Sequence, residues 1–279
     1  MKASSLVLPH RSDGARLVPD LAYPRAFTLR IGRTDQSYVD LDDPLRLEFD
    51  YVQRLADIVD SVAEPGRIRV VHVGGAGMTL PRYLAATRPT SAQVVLEPDI
   101  ELTAFVRRHL PLPARSGIKV RGTDGRRGIA ELRDGYADLM IIDAFVGARV
   151  PAELTTSDLL ADARRALSDH GVIIINLTDR GPLCYARRVL AGVHLTFPHV
   201  LLCVEPATLK GRRFGNVIIA GGATPLPYAS IADRAGRPPF PYRVVHGGRL
   251  RQLLADSTPF SDDDAEQSPE PGRGMRHLA

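Results

Sequence analysis

At 279 residues the chain is long for one domain and short for two full ones, so one sizeable core with appended terminal segments is expected. Its formal net charge is only +4, carried by single and paired Arg residues without a Lys/Arg run, which argues against a nucleic-acid footprint and leaves a mild preference for anionic partners. No apolar run approaches the roughly 20 residues that span a bilayer, and Pro9, His10, Arg11 and Asp13 interrupt any signal-peptide stretch, so a soluble, cytoplasmic protein without membrane partners is expected.

Short apolar and polar stretches alternate from Ala26 to Phe49 between turn-formers at Gly32, Asp35 and Asp42-Asp43-Pro44, which predicts a small β-rich N-terminal unit over 1–50. Leu55, Ile58, Val59 and Val62 then recur at helical spacing within 51–62, and Pro65 with Gly66 ends that helix. The main core, 51–223, alternates strands and helices: a strand at 69–73, a helix after Gly77, a strand at 92–97, a helix over 100–110, a strand at 118–122 and a strand ending the run 137–145. In the helix over 100–110, Leu102, Phe105, Val106 and Leu110 form one apolar stripe, with Arg107 and Arg108 facing out. Residues 156–170 predict an amphipathic helix stopped by Gly171, followed by a strand at 172–177 and a helix near 184–195.

Two late strands, 199–205 and 215–222, lie only about ten residues apart, too few for a helical crossover, so they pair antiparallel. The fold class is therefore α/β: a Rossmann-like methyltransferase fold, mostly parallel, with a C-terminal antiparallel hairpin, whereas nicotinamide dehydrogenases usually continue in parallel. Residues 224–279 form a Pro-, Gly- and Arg-rich extension with one short helix around 250–255 and a disordered end over 262–274. Cys184 and Cys203 lack C-x-x-C spacing and companion histidines, so both are expected as buried, reduced thiols and no metal is implied.

The chemistry concentrates where strands end. Val-His-Val-Gly-Gly-Ala-Gly (71–77) runs from an apolar strand into glycines and a helix, and Gly74, Gly75 and Gly77 would let the backbone approach a ligand. Twenty residues beyond Gly77, Glu97 ends the second strand, where a carboxylate accepts hydrogen bonds from ribose hydroxyls. Asp124 and Gly125 follow the third strand, either as a turn or as a contact to an adenine amino group. Asp143 ends the apolar run Leu-Met-Ile-Ile-Asp and is the candidate catalytic group, able to orient a nucleophile, accept its proton or balance a sulfonium.

With these residues in place, roughly 30–222 resembles the spermidine synthase family of polyamine aminopropyltransferases. Asp-Gln-Ser-Tyr-Val (35–39) is similar to the segment whose glutamine, here Gln36, touches the donor, and Phe-Asp-Tyr-Val-Gln (49–53) to the gate segment, pointing to Tyr51 as a substrate-binding residue. Val-Gly-Gly-Ala-Gly-Met-Thr-Leu (73–80) is similar to the glycine-rich loop, Glu97 to the ribose-binding acid, Thr-Asp-Gly (123–125) to the adenine-contacting turn and Asp143 to the catalytic aspartate; residues 205–211 resemble the loop before the last strand. The resemblance implies S-adenosylmethionine or its decarboxylated form as co-substrate, an amine or other nucleophilic acceptor, and a homodimer or tetramer. Departures fall on the acceptor side: Ala76 and Val146 replace family acids, Ala207 and Thr208 stand where a tyrosine is usual, and Val52 replaces a polar partner of Tyr51. Three readings stay open: aminopropyl or related transfer, S-adenosylmethionine-dependent methyl transfer with the donor carboxylate met by amides after Gly77 or by Arg82, and a non-catalytic nucleoside-binding scaffold.

Overall fold

Val70 and Val71, like Leu139 and Met140, are consecutive residues buried in cores on opposite faces of one sheet. Such two-sided burial is the mark of strands in a parallel sheet covered by helices. The structure is a computed structural model that describes residues 5–9, 14–63, 65–237 and 239–271.

An antiparallel sheet of four strands in chain order opens the fold: β1 (Leu6–Val7), β2 (Arg16–Pro19), β3 (Ala26–Ile31) and β4 (Thr34–Asp40). Helix α1 (Asp50–Val62) leads into the second sheet, where β5 (Arg69–Val73), α2 (Thr79–Thr87), β6 (Ala92–Leu96), α3 (Ile100–His109), β7 (Ile118–Arg121), α4 (Gly125–Ala130), β8 (Ala137–Ile142), α5 (Ser157–Ala166) and β9 (Leu167–Asp179) alternate. The chain continues through α6 (Cys184–Thr196), β10 (His199–Val204), α7 (Pro206–Leu209), β11 (Gly215–Gly222), α8 (Tyr228–Ala235), β12 (Arg243–His246) and α9 (Gly247–Leu254). Strand order is β12-β10-β11-β9-β8-β5-β6-β7. The five strands from β9 to β7 are parallel, β11 enters antiparallel between β9 and β10, and β12 adds an antiparallel edge. This is the expected α/β methyltransferase-like fold with its small N-terminal β unit.

The stripe Leu102, Phe105, Val106 and Leu110 on and just after α3 meets Leu17, Leu29 and Val39 of the N-terminal sheet in a third core. That contact seats the N-terminal sheet over the ends of β5 and β6, with Gln36 on β4 at the site described below.

Four expectations need correction. Helix α5 stops at Ala166 rather than running to His170, because Leu167 leaves the helix to pair with Ala137, and the register shift before Leu139 and Val172 takes up Ser168 to Gly171 within β9. Cys184 is exposed at the start of α6, while Cys203 is buried as expected. The extension carries two helices and a strand where one helix was expected. Its last described stretch is packed rather than disordered: Phe260 is 1% exposed in the main core, Asp262 binds Thr156 and Arg126, and Asp264 pairs with Arg188. The Ser268 hydroxyl accepts from the Val150 amide at 2.8 Å. Composition reads as disorder there because a few spaced side chains fix a segment that is otherwise polar; residues 272–274 lie outside the described residues. No helix among the described residues is long and apolar enough to cross a membrane.

Replacing Phe260 by Ala deletes a buried aromatic ring and should lower the unfolding free energy by about 3–5 kcal/mol. Urea denaturation reads this directly, and a neutral variant would mean the segment does not pack.

Candidate active site

From β5 the chain steps one way to β6 and β7, then returns to β8 and β9 on the other side, so the ends of β5 and β8 form the topological switch point where open α/β sheets bind ligands. The two ends are locked together. The Asp143 amide donates to the Val73 carbonyl at 2.9 Å, and Gly74, at φ +93°, passes so close that a Cβ would lie 2.3 Å from the Asp143 carbonyl oxygen. Gly74 is therefore required by the protein's own backbone, whatever ligand the loop receives. Ala76 and Met78 continue the turn with left-handed φ of 37° and 59°.

Glu97 supports that turn. One carboxylate oxygen accepts from the amides of Gly75 at 2.8 Å and Ala76 at 3.3 Å, and the other accepts from Asp99 at 3.0 Å. At the third strand end, Asp124 caps α4 by accepting from the Arg127 amide at 2.8 Å, so the turn reading holds for one oxygen and leaves the other toward the site.

Gln36, Tyr51, Gly74, Gly75, Glu97, Asp124, Gly125 and Asp143 all line one cavity of about 350 Å³. Gly77 does not. Its amide donates to the Ser37 hydroxyl at 3.0 Å, and an added Cβ would lie 2.6 Å from Ser37 Cβ, so its lack of a side chain serves the contact with β4. Arg82 is also absent from the lining: its guanidinium is buried and donates to the carbonyls of Gly77, Leu110 and Pro111. Of the residues that depart from the family pattern, Val52, Ala76 and Val146 line this cavity, while Thr208 is buried beneath Gly215.

Charge is the cavity's distinguishing property. Glu97, Asp99, Asp124, Asp143 and Glu153 line it, with no Lys or Arg among the described lining residues. The mild preference for anions expected from net charge thus does not extend to this cavity, because the arginines are spent on surface ion pairs and on carbonyls elsewhere.

Asp143 is the most perturbed of these acids. Burial pushes its carboxyl up to about 6, against the opposing effect of a 2.8 Å hydrogen bond from the Asn176 side-chain amide. The Asn216 amide in turn donates to Asn176 Oδ1 at 3.1 Å, which fixes the orientation of the Asn176 side chain. Burial, then the nearby charge of Asp143, raises the Tyr51 hydroxyl well above its ordinary range. Burial holds His72, beside Gln93, down to about 4 and so neutral. Asn176 and Asn216 were missed in the sequence; the available signal was a lone amide inside each of two otherwise apolar strands.

No family model matches the chain. A polyamine aminopropyltransferase of Chromobacterium violaceum is 28% identical over 53% of this chain and 57% of its own. One from Vibrio vulnificus is 30% identical over 54% of this chain and 51% of its own, so the chain spans little more than half the length of the curated relatives it matches. Among solved structures, a probable spermidine synthase from Corynebacterium glutamicum superposes with a TM-score of 0.85 at 26% identity, over 93% of this chain and 96% of that one. With sequence similarity over about half its length and a shared fold across nearly all of it, the chain is distantly related to the spermidine synthase family of polyamine aminopropyltransferases.

Proposed function

We propose that this protein transfers an aminopropyl group from decarboxylated S-adenosylmethionine to an amine acceptor, with Asp143 positioning the nucleophile and taking up its proton. The observation that carries the reading is five carboxylates around a cavity with no Lys or Arg among its described lining residues. Such a field stabilises a donor bearing a sulfonium and an ammonium. It opposes the carboxylate of intact S-adenosylmethionine, and Arg82, the cation that would answer that carboxylate, is committed to backbone carbonyls.

The lining residues fit the nucleoside. The Glu97 oxygen bonded to the Asp99 amide keeps a lone pair and can accept from a ribose hydroxyl, while the other is used by the Gly75 and Ala76 amides, and the second Asp124 oxygen can accept from an adenine amino group. The donor, when bound, supplies an electrophilic carbon beside its sulfur: a carbon–nitrogen bond forms, the carbon–sulfur bond breaks, and a neutral thioether leaves. Asp143 is ionised at neutral pH, holds the attacking amine in line and receives its proton, while Asn176 keeps the carboxylate from rotating away.

Calorimetry should show the decarboxylated donor binding at least about tenfold more tightly than S-adenosylmethionine, the effect of one charge repulsion in a partly enclosed site. Tighter binding of the intact donor would turn the reading to methyl transfer. Glu97→Ala should weaken methylthioadenosine by about tenfold to a hundredfold, the worth of hydrogen bonds to a charged group.

Asp143→Asn should lower turnover by about a hundredfold or more. The wild-type rate should fall as pH drops through about 6. Asn176→Ala removes the bond that opposes the upward shift, so that limb should move to higher pH. A rate profile flat through this range would remove Asp143 as the base.

The same group makes a prediction for stability. Because burial raises the folded-state value above the ordinary 3.8 of an aspartate, the charged form is disfavoured in the fold, and stability is lost as pH rises through about 6. Asp143→Asn should therefore melt above wild type at pH 8, with the gap closing below pH 4. An unchanged gap would mean the carboxyl is not perturbed.

A further inference from the structure

The cavity is walled on one side by a loop, Phe145 to Gly147, that leaves the sheet just after Asp143. Val146 and Arg149 bond to each other through both backbone amides, at 2.8 and 3.2 Å, and the two residues between them, Gly147 and Ala148, have φ of 59° and 66°. This is the tight hairpin turn in which both central residues are left-handed. Gly147 takes that conformation freely, but Ala148 does not, and it is buried. A turn strained at an alanine persists only where its surroundings fix it.

Those surroundings come from the far end of the chain. The Ser268 hydroxyl accepts from the Val150 amide at 2.8 Å, and the Ser268 amide donates to the Val150 carbonyl at 3.2 Å. The Arg149 guanidinium donates to the carbonyls of Ser268 at 2.6 Å and Gln267 at 3.3 Å. Ser268 and Val150 are both fully buried, and the Ser268 hydroxyl lies 3.4 Å from that of Thr178 on β9. Two residues earlier, on the same face of that strand, Asn176 holds the carboxylate of Asp143. The loop is thus tied to β9 at both ends, at its start through Asn176 and at its finish through Ser268. The segment that carries Ser268 has an anchor of its own in Phe260, whose ring lies 5.3 Å from that of Tyr185 and whose carbonyl accepts from the Ser157 amide at 2.8 Å.

We infer that the C-terminal extension supplies a latch for the candidate active site, with Ser268 as the positioning residue that holds the Phe145–Gly147 wall in place in the ligand-free protein. The inference rests on the transfer reading only for the ligand that the wall encloses. The Val150 amide has no other partner among the described residues, so removing the Ser268 hydroxyl leaves a buried donor unpaired and favours an opened loop. Opening lowers the fraction of molecules competent to bind and admits water to Asp143.

The test uses the full chain as wild type, Ser268→Ala, Arg149→Gln and the double variant, which loses three of the four bonds to residues 267 and 268. Chymotrypsin cleavage at the Phe145–Val146 bond, located by mass spectrometry well below the melting transition, reads loop opening. Ser268→Ala should speed it by about tenfold, the effect of one buried donor left unpaired. In the double variant methylthioadenosine should bind about threefold to tenfold more weakly by calorimetry. Carboxyl-carbon NMR should show Asp143 titrating at lower pH there, because the opened wall hydrates a group that burial holds up at about 6.

Equal cleavage in wild type and variants would overturn the inference. So would cleavage at this bond that rises only together with cleavage throughout the chain, which would make Ser268 a support of the whole fold. An opened loop that leaves the Asp143 titration and methylthioadenosine affinity unchanged would overturn it as well, since the wall would then not shape the site. If wild type fails to bind methylthioadenosine, the transfer reading falls, while cleavage and the Asp143 titration, both measured without ligand, still decide the latch.

Discussion

The join between β5 and β8 is the constraint on which the rest of the site depends. Asp143 reaches the mouth of the cavity because its amide is bound to the Val73 carbonyl, and its own carbonyl lies where any side chain at position 74 would have to go. One backbone contact therefore ties the glycine turn, the base candidate and the switch point of the sheet together. Glu97 extends the same device to β6 by holding the Gly75 and Ala76 amides, so three strand ends set one wall of the cavity before any ligand arrives. Preorganisation of this kind removes ordering cost from binding and keeps charged groups from relaxing away from the reacting atoms.

Electrostatics then decide which ligand suits that frame. The chain is net basic, yet its arginines pair with surface carboxylates or donate to carbonyls, as Arg82 and Arg165 do, and the cavity is left acidic. Net charge describes the whole surface and is a poor guide to a concave site, where field lines from a few unpaired carboxylates are concentrated by the low-dielectric walls. Asp143 shows the balance locally. Burial favours its neutral form, Asn176 favours its charged form, and the outcome near pH 6 is what the proposed base requires, ionised at neutral pH yet able to hold a proton.

Much of this was legible in the sequence because the decisive residues end apolar runs. Short apolar runs, Val94 to Leu96 and Leu139 to Ile142, mark the ends of buried strands, and the polar residue that follows emerges at the sheet edge; Glu97 and Asp143 were found this way. The stripe on α3 was legible for a similar reason, since 3.6-residue periodicity is local. Asn176 and Asn216 were not, because their meeting requires β11 to insert antiparallel beside β9, a pairing that no local pattern encodes. Gly77 misled for the same reason: the group that excludes a side chain there is Ser37, in a different sheet. The C-terminal segment was misjudged because composition averages over residues, whereas Phe260 and Ser268 act singly.

The division of the molecule into a sheet core and appended segments bears on how its specificity is built. The cavity wall set by the strand ends rests on the first turns after β5, β6 and β8, strands buried on both faces, where a change would disturb the main core. A second cavity, which Tyr51 also lines, instead uses the entry to α1, the Glu205–Arg213 segment and the Pro239–Pro241 loop. The loop bearing Val146 is held from outside the sheet, by Arg149 and Val150 bonding to Ser268 near the end of the described chain. Exposed side chains in these segments, such as Glu48 and Phe240, can change size and charge while the strands and the glycine turn stay in place, whereas Tyr51 and Thr208 are buried and cannot. Under the proposed transfer, such a build would keep one donor geometry while the segments around it set the acceptor; the departures Val52, Val146, Ala207 and Thr208 fall in those segments, and Ala76 alone falls in the glycine turn.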